Sequence, residues 1–184
     1  MPSKSYSADV TALILAGGKA TRLGGVDKRE LVIEGRTIFE RQRETLAGLP
    51  LLVSSTKDIP GVTTVRDSIT DGGPLAGIAA GLAAAQTPWL LVLAGDMPYV
   101  TRDVIDRLCA RLADDIDAVG VRLAGLPEPL VCVLRVSVYL PIVQDRLARR
   151  ALKASGLLAD GPRVAWLDET DSRAFFNVNA PGDL

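Results

Sequence analysis

The sequence predicts an α/β fold, a three-layer sandwich in which a mostly parallel sheet lies between two layers of helices. Three observations lead there. Short apolar runs of strand character alternate with segments of helical periodicity, the pattern of strands joined by crossover helices. The run "WLLVLA" at 89–94 is apolar without a break, as suits a strand buried on both faces. The 184 residues show no linker, repeat or low-complexity stretch. One domain spanning 1–184 is therefore expected, large enough to bury a core without metal or disulfide staples.

In chain order the strand-like runs are "VTALIL" (10–15), "LLVSS" (51–55), "VTTV" (62–65), "WLLVLA" (89–94), "DAVGVR" (117–122), "PLVCVL" (129–134) and "RVAWL" (163–167). Helical faces lie between them. Ile38, Phe39 and Leu46 share one face, and Leu75, Ile78, Ala79 and Leu82 follow the i, i+3, i+4, i+7 pattern. Val104, Ile105, Leu108 and Leu112 share a face behind Thr101, which reads as a helix cap, and Leu140, Val143 and Leu147 repeat the pattern. The Pro-rich "GLPEP" between two strand runs marks a hairpin, so one strand of the sheet is expected to be antiparallel.

Composition narrows the chemistry. With 48% hydrophobic and 23% charged residues the chain is globular rather than disordered, and a net charge of −1 argues against nonspecific nucleic-acid binding. Cys109 and Cys132 are the only cysteines and read as small core residues of a protein in a reducing compartment. The N-terminal "MPSKSYSADV" lacks the apolar core of a signal peptide and no run reaches membrane-span length, so a cytoplasmic protein without membrane association is expected. Histidine is absent altogether, which excludes Ser-His-Asp and Cys-His catalysis and imidazole-based zinc sites. Carboxylates, Lys, Arg, backbone amides and an oxygen-held metal remain, a set that fits phosphate chemistry with Mg²⁺.

In open α/β sheets ligands bind beyond the carboxyl ends of the strands. Three polar or Gly-rich segments follow strands: 16–28, 66–77 and 95–98. In the first, Gly17 and Gly18 allow successive amides to form a nest for phosphate oxygens, and Arg22 and Lys28 add full charges. A flexible turn with solvated cations is the plainer alternative. The loop matches neither the G-x-G-x-x-G dinucleotide fingerprint nor the Walker pattern, since Leu13 stands where the first Walker Gly should be and Ala20 follows Lys19. In the third segment Asp96, at the end of the buried run, is either a turn aspartate or a ligand for Mg²⁺ on phosphates; Thr101 already offers a cap to the next helix.

"LAGGKATRLGGVDK" resembles the nucleotide-binding signature of nucleotidyltransferases with a Rossmann-like sheet of the nucleotide-diphospho-sugar transferase type. It is most similar to the molybdenum cofactor guanylyltransferases, with Leu23 in place of the usual Met. The resemblance implies that this loop wraps a nucleotide triphosphate, with Leu15, Ala16, Gly17 and Gly18 against it. Lys28 and Arg22 would offset its charge as catalytic groups. "LAGDMPYV" resembles the family's metal-binding station, with Gly95 in a cysteine position, which makes Asp96 the Mg²⁺ ligand and a nucleotide contact. "RDSITDGGPLAGI" resembles the family's "D…GPLAG" segment and implies nucleoside contacts for Asp67 and Gly77. Gly81, one turn on from Gly77, reads as close helix–sheet packing. Ser54 and Ser55 stand where relatives carry a base-reading asparagine, which puts Ser54 on the nucleotide side. "FFNVNAPGDL" resembles the family's C-terminal station, implying that Asn177 and Asn179 position the metal or the acceptor.

By this resemblance the chain transfers GMP from GTP to the phosphate of molybdopterin or Mo-molybdopterin, with Mg²⁺ as cofactor. Cofactor-insertion proteins or molybdoenzyme apoproteins would be its partners. A cytidylyltransferase acting on the same pterin and a non-catalytic carrier of the dinucleotide are the alternatives. "PEPLVCVL" departs from the Gln-Pro-Leu or His-Pro-Thr of relatives at the acceptor side. The basic stripe Arg146, Arg149, Arg150 and Lys153 reads as a solvated face, or else as a landing surface for an acidic partner.

Overall fold

In the computed structural model, which describes residues 6–16, 28–66 and 72–178, the central strands send alternate side chains into two separate cores. From β1 (Val10–Leu15), Val10, Ala12 and Ile14 enter one core while Leu13 and Leu15 enter the other. β6 (Trp89–Ala94) divides in the same way, with Leu91 and Leu93 on one side and Leu90 and Val92 on the other. Both strands are buried along their whole length, which explains their unbroken apolar sequences.

Two helices line each face. The first core receives Leu46, just past α1 (Ile38–Thr45), and Val104, Ile105 and Leu108 of α3 (Arg102–Cys109). The second receives Leu75, Ile78 and Leu82 of α2 (Gly73–Ala84) and Tyr139, Val143 and Leu147 of α4 (Val136–Ala148). A Cβ on Gly81 would lie 2.5 Å from Leu13 Cδ2, so a side chain there would hold α2 off the sheet. The Thr101 cap forms, accepting from Val104 N–H at 3.4 Å on α3, and Thr37 and Glu40 add a reciprocal capping box on α1.

The sheet is completed by β4 (Leu51–Ser54), β5 (Thr63–Val65), β7 (Ala118–Leu123), β8 (Leu126–Arg135) and β9 (Val164–Glu169) in the order β5-β4-β1-β6-β8-β7-β9. Only β8 runs antiparallel to its neighbours in this sheet, as the hairpin signal predicts. The turn itself falls earlier than expected. Ala124 and Gly125 form it, both at positive φ, and Pro127 and Pro129 lie inside β8. A large bulge accommodates Pro129: the β7–β8 register passes from Gly120↔Cys132 to Val121↔Glu128, leaving Pro129, Leu130 and Val131 outside that ladder, while Pro127 pairs with Arg122. A small hairpin of β2 (Val32–Ile33) and β3 (Arg36–Thr37), turning at Glu34 and Gly35 with positive φ, escaped the sequence reading because each strand is two residues long.

At the amino edge of the sheet the buried Asp117 accepts from Arg163 with both carboxylate oxygens, each at 2.8 Å, and has Arg135 at 3.5 Å. The Arg163 hydrogen bonds, followed by the charges of Arg163 and Arg135, outweigh burial and hold its carboxyl below the usual range. The folded state therefore binds this proton less readily than the unfolded chain. The resulting stability is complete above the unfolded value of about 3.9 and is lost as pH falls through the lower folded value. Urea titrations should show the wild-type midpoint falling on acidification below about pH 4. Asp117→Asn is expected to start with a lower midpoint at neutral pH and to lose less on acidification.

Candidate active site

At the carboxyl edge of the sheet, three neighbouring strands end side by side. Leu15 lies opposite Ser54 of β4 and opposite Ala94 of β6, and Ala16 N–H donates to Ser54 O at 3.0 Å. β6 then turns sharply. Met97 N–H reaches back to Ala94 O at 3.4 Å, which places Gly95 and Asp96 at the corners of a β-turn. Gly95 N–H donates to Leu15 O at 3.0 Å, and a Cβ on Gly95 would lie 2.6 Å from that same oxygen. Glycine is thus the residue that lets the Asp96 turn rest directly on the end of β1.

Other predicted residues meet this junction. Gly77 on α2 faces Ser54 and Leu15: its Cβ position is 2.6 Å from Ser54 Oγ and 3.0 Å from Leu15 Cδ2. Ser54 is buried beneath that helix. α2 begins on Gly72, which has no side chain to cap its first amides, unlike the threonine-capped α1 and α3. The C-terminal segment returns to the turn, since Val178 N–H donates to Asp96 O at 2.8 Å and brings Asn177 with it. Lys28 opens a 3-10 turn at Lys28–Glu30, and the residues that follow it, Leu31 and Ile33, pack with Ile38 and Val178. The structure thus gathers Leu15, Ala16, Ser54, Gly77, Asp96 and Asn177 at one edge. Gly17, Gly18, Arg22, Asp67 and Asn179 lie outside the described residues.

Two residues at this edge were not singled out from sequence. Glu128 is one. Beyond the last β6–β8 pair, Leu93 with Val131, Glu128 comes close enough to the Asp96 turn to feel its charge. Burial pushes its carboxyl up, and the charge of Asp96 adds to the rise against a Leu130 N–H donation at 3.5 Å. In sequence it was hidden between two prolines read as turn. The other is Gln42, a polar residue on the buried face of α1 whose amide reaches the Asp96 turn.

Elsewhere several charged groups pair with one another. The predicted basic stripe breaks up: α4 ends at Ala148, Arg146 pairs with Asp160 and Arg149 with Asp145. A cavity of about 590 Å³ between α1 and the turn leading to α3 is lined by Arg36, Arg41 and Arg102, paired with Glu44, Glu34 and Asp106 respectively. Both thiols are buried, which pushes them up to about 12, so they are core residues. No helix among the described residues is long and apolar enough to cross a membrane.

A mostly parallel sheet whose first strand feeds a glycine-rich basic loop, with a carboxylate turn resting on that strand's end, defines a nucleotidyltransferase-type α/β protein. The chain belongs to the MobA-like NTP transferase domain family, whose model matches residues 12–163. It is 32% identical over 200 residues to a molybdenum cofactor guanylyltransferase of Ralstonia nicotianae, covering 97% of this chain and 95% of that one. It is 30% identical over 185 residues to the molybdenum cofactor guanylyltransferase of Vibrio cholerae, at 96% and 90% coverage. Among solved structures, molybdopterin-guanine dinucleotide biosynthesis protein A of Archaeoglobus fulgidus superposes with a TM-score of 0.74 at 22% identity, covering 94% of each chain. The 2-C-methyl-D-erythritol 4-phosphate cytidylyltransferase of Thermus thermophilus shares the fold at 0.69 and 20% identity, covering 95% of each chain.

The Glu128–Asp96 pairing is open to direct measurement. Carboxyl-carbon NMR titration should place Glu128 above the ordinary glutamate range, and Asp96→Asn should lower it by removing the neighbouring charge. A Glu128 titration unmoved by that substitution would separate the two carboxylates.

Proposed function

We propose that the chain transfers GMP from GTP to the terminal phosphate of molybdopterin, with or without bound molybdenum, forming molybdopterin guanine dinucleotide and pyrophosphate. Full-length likeness to proteins named molybdenum cofactor guanylyltransferase supports the substrates. The observation that carries the chemistry is the Asp96 turn, hydrogen-bonded onto the end of the strand that feeds the basic loop.

The acceptor phosphate is already an anion, so attack on the α-phosphorus requires no general base, in keeping with a chain that has no histidine. The obstacle is repulsion between two anions. Lys28, Arg22 and the amides of Gly17 and Gly18 offset the triphosphate charge and steady the departing pyrophosphate. Ser54, Asp67 and Gly77 serve the nucleoside side, and Asn177 and Asn179 position the acceptor or the metal. Among the described residues no group of three or more His, Cys, Asp or Glu side chains could hold a metal ion alone. Asp96 nevertheless suits Mg²⁺, which needs only one or two carboxylates when water and phosphate oxygens complete its shell. Asp96 would hold Mg²⁺, which would supply charge neutralisation to the phosphates. The reading implies a single cytoplasmic domain that hands its product to insertion proteins or apoenzymes.

Thermal unfolding in Mg²⁺ with ATP, GTP, CTP or UTP tests the substrate. The preferred nucleotide at about a hundred times its Kd adds roughly 2.7 kcal/mol. GTP is expected to stabilise alone; a preference for CTP would instead indicate cytidylyl transfer. In a pyrophosphate-release assay with acceptor present, Lys28→Ala and Asp96→Ala should each lower turnover by roughly 10²–10³-fold. Nucleotide binding without pyrophosphate release in the wild type would point to a carrier.

A further inference from the structure

The buried face of α1 follows the segment that carries Asp96 along its length. Gln42, only 2% exposed, donates from Nε2 to Ala94 O at 2.7 Å and to Met97 O at 3.3 Å, the first and last carbonyls of the turn. One turn earlier, Ile38 packs with Val178 and Tyr99; further on, Thr45 donates to Val100 O at 3.2 Å. Both amide hydrogens of Gln42 are thereby directed at one tight turn from a different element. The amide cannot be reversed, because Oε1 would then face two carbonyl oxygens.

This arrangement is costly. Gln42 Oε1 is buried with no hydrogen-bond partner among the described residues. A buried amide with an orphaned oxygen is expensive next to an apolar side chain of similar size, so packing alone does not account for it. What the amide provides is a fixed distance. On its amino side α1 is tied through Ile38 N–H, which donates to Leu31 O at 2.9 Å, to the segment that begins with Lys28. Of the two carbonyls between those that Gln42 holds, Asp96 O is taken by Val178 N–H.

We propose that Gln42 is a positioning residue that acts through Asp96. It locks the Asp96 turn to the helix continuous with the Lys28 segment, and so sets the spacing between the carboxylate that receives the metal and the cation that meets the phosphates. The inference rests on the reading of Asp96 as a group of the nucleotidyl-transfer site. Loss of the lock displaces Asp96 without removing it, which affects the chemical step and the metal requirement more than nucleotide affinity.

The test compares Gln42→Met, which keeps length and volume but has no donor, with Gln42→Glu, which regains one donor when protonated. Steady-state rates are measured against GTP and Mg²⁺ concentration and pH, with folding checked by circular dichroism and melting. Folded Gln42→Met is expected to lose about ten- to a hundredfold in kcat, the scale of a misplaced reacting group, with KM for GTP unchanged within about twofold. The Mg²⁺ concentration for half-maximal rate should rise several-fold. Gln42→Glu should approach wild-type rates at low pH and fall away from them as pH rises through the pKa of the introduced acid. Wild-type kcat and Mg²⁺ requirement in folded Gln42→Met would overturn the proposal. If Gln42→Met does not fold, the pH profile of Gln42→Glu decides, and a profile parallel to wild type overturns it. Asp96→Ala separates the two levels: normal turnover there defeats the reading of Asp96 and the proposal with it. An inactive Asp96→Ala beside a normal Gln42→Met defeats the proposal alone.

Discussion

The carbonyl of Leu15 is the point on which the site depends. β1 is central, buried on both faces and paired in parallel on both sides, so its end is as fixed as any backbone in the molecule. The Leu15 oxygen takes the Gly95 amide, and the next residue on β1, Ala16, donates to Ser54 O. Through these two bonds the ends of three strands become one surface, on which Ser54, Gly77 and Asp96 meet. The absence of a Cβ at Gly95 is what permits the contact at 3.0 Å.

Polar groups are arranged in opposite ways at the two edges of the sheet. At the amino edge, Asp117 is buried and its carboxylate is consumed by Arg163 and Arg135, an arrangement that serves stability alone. At the carboxyl edge, Glu128 lies near Asp96 with its carboxyl pushed up by burial and by that neighbour, an arrangement that costs stability. Carboxylates set close together in a partly dry place are what a hard cation and its phosphate ligands would relieve. The helices differ in their caps: α1 and α3 start on threonines, α2 on a glycine beside the site, and α4 on Arg135 without a side-chain cap.

Strand β8 carries the departure from a regular doubly wound sheet. Its antiparallel course brings its first residues, rather than its last, to the carboxyl edge, and this is how Glu128 arrives near Asp96. The three-residue bulge lets Pro129 sit in the strand outside the β7–β8 ladder, while Pro127 stays in it opposite Arg122. Both features lie on the far side of Asp96 from Ser54 and Gly77, so the two sides of the turn meet different chemistry.

Much of the fold was legible in the sequence because its signals are local and redundant. An unbroken apolar run can only be a strand covered twice, and Thr101 before an amphipathic run can only be a cap that forms. Gly81 reads as close packing, and Leu13 beneath it gives the reason. Asp96, at the end of such a run and followed by Pro98, was legible for the same cause. Glu128 and Gln42 were not, since each acts on Asp96 across a separation of more than thirty residues that no local pattern encodes. Their roles depend on the antiparallel course of a strand and on which face of a short helix meets a turn. By itself the sequence determined the layers, the strands and the chemistry that a chain without histidine can perform. Only the tertiary structure decided which side chains surround the Asp96 turn, because that neighbourhood is set by packing between elements distant in the chain.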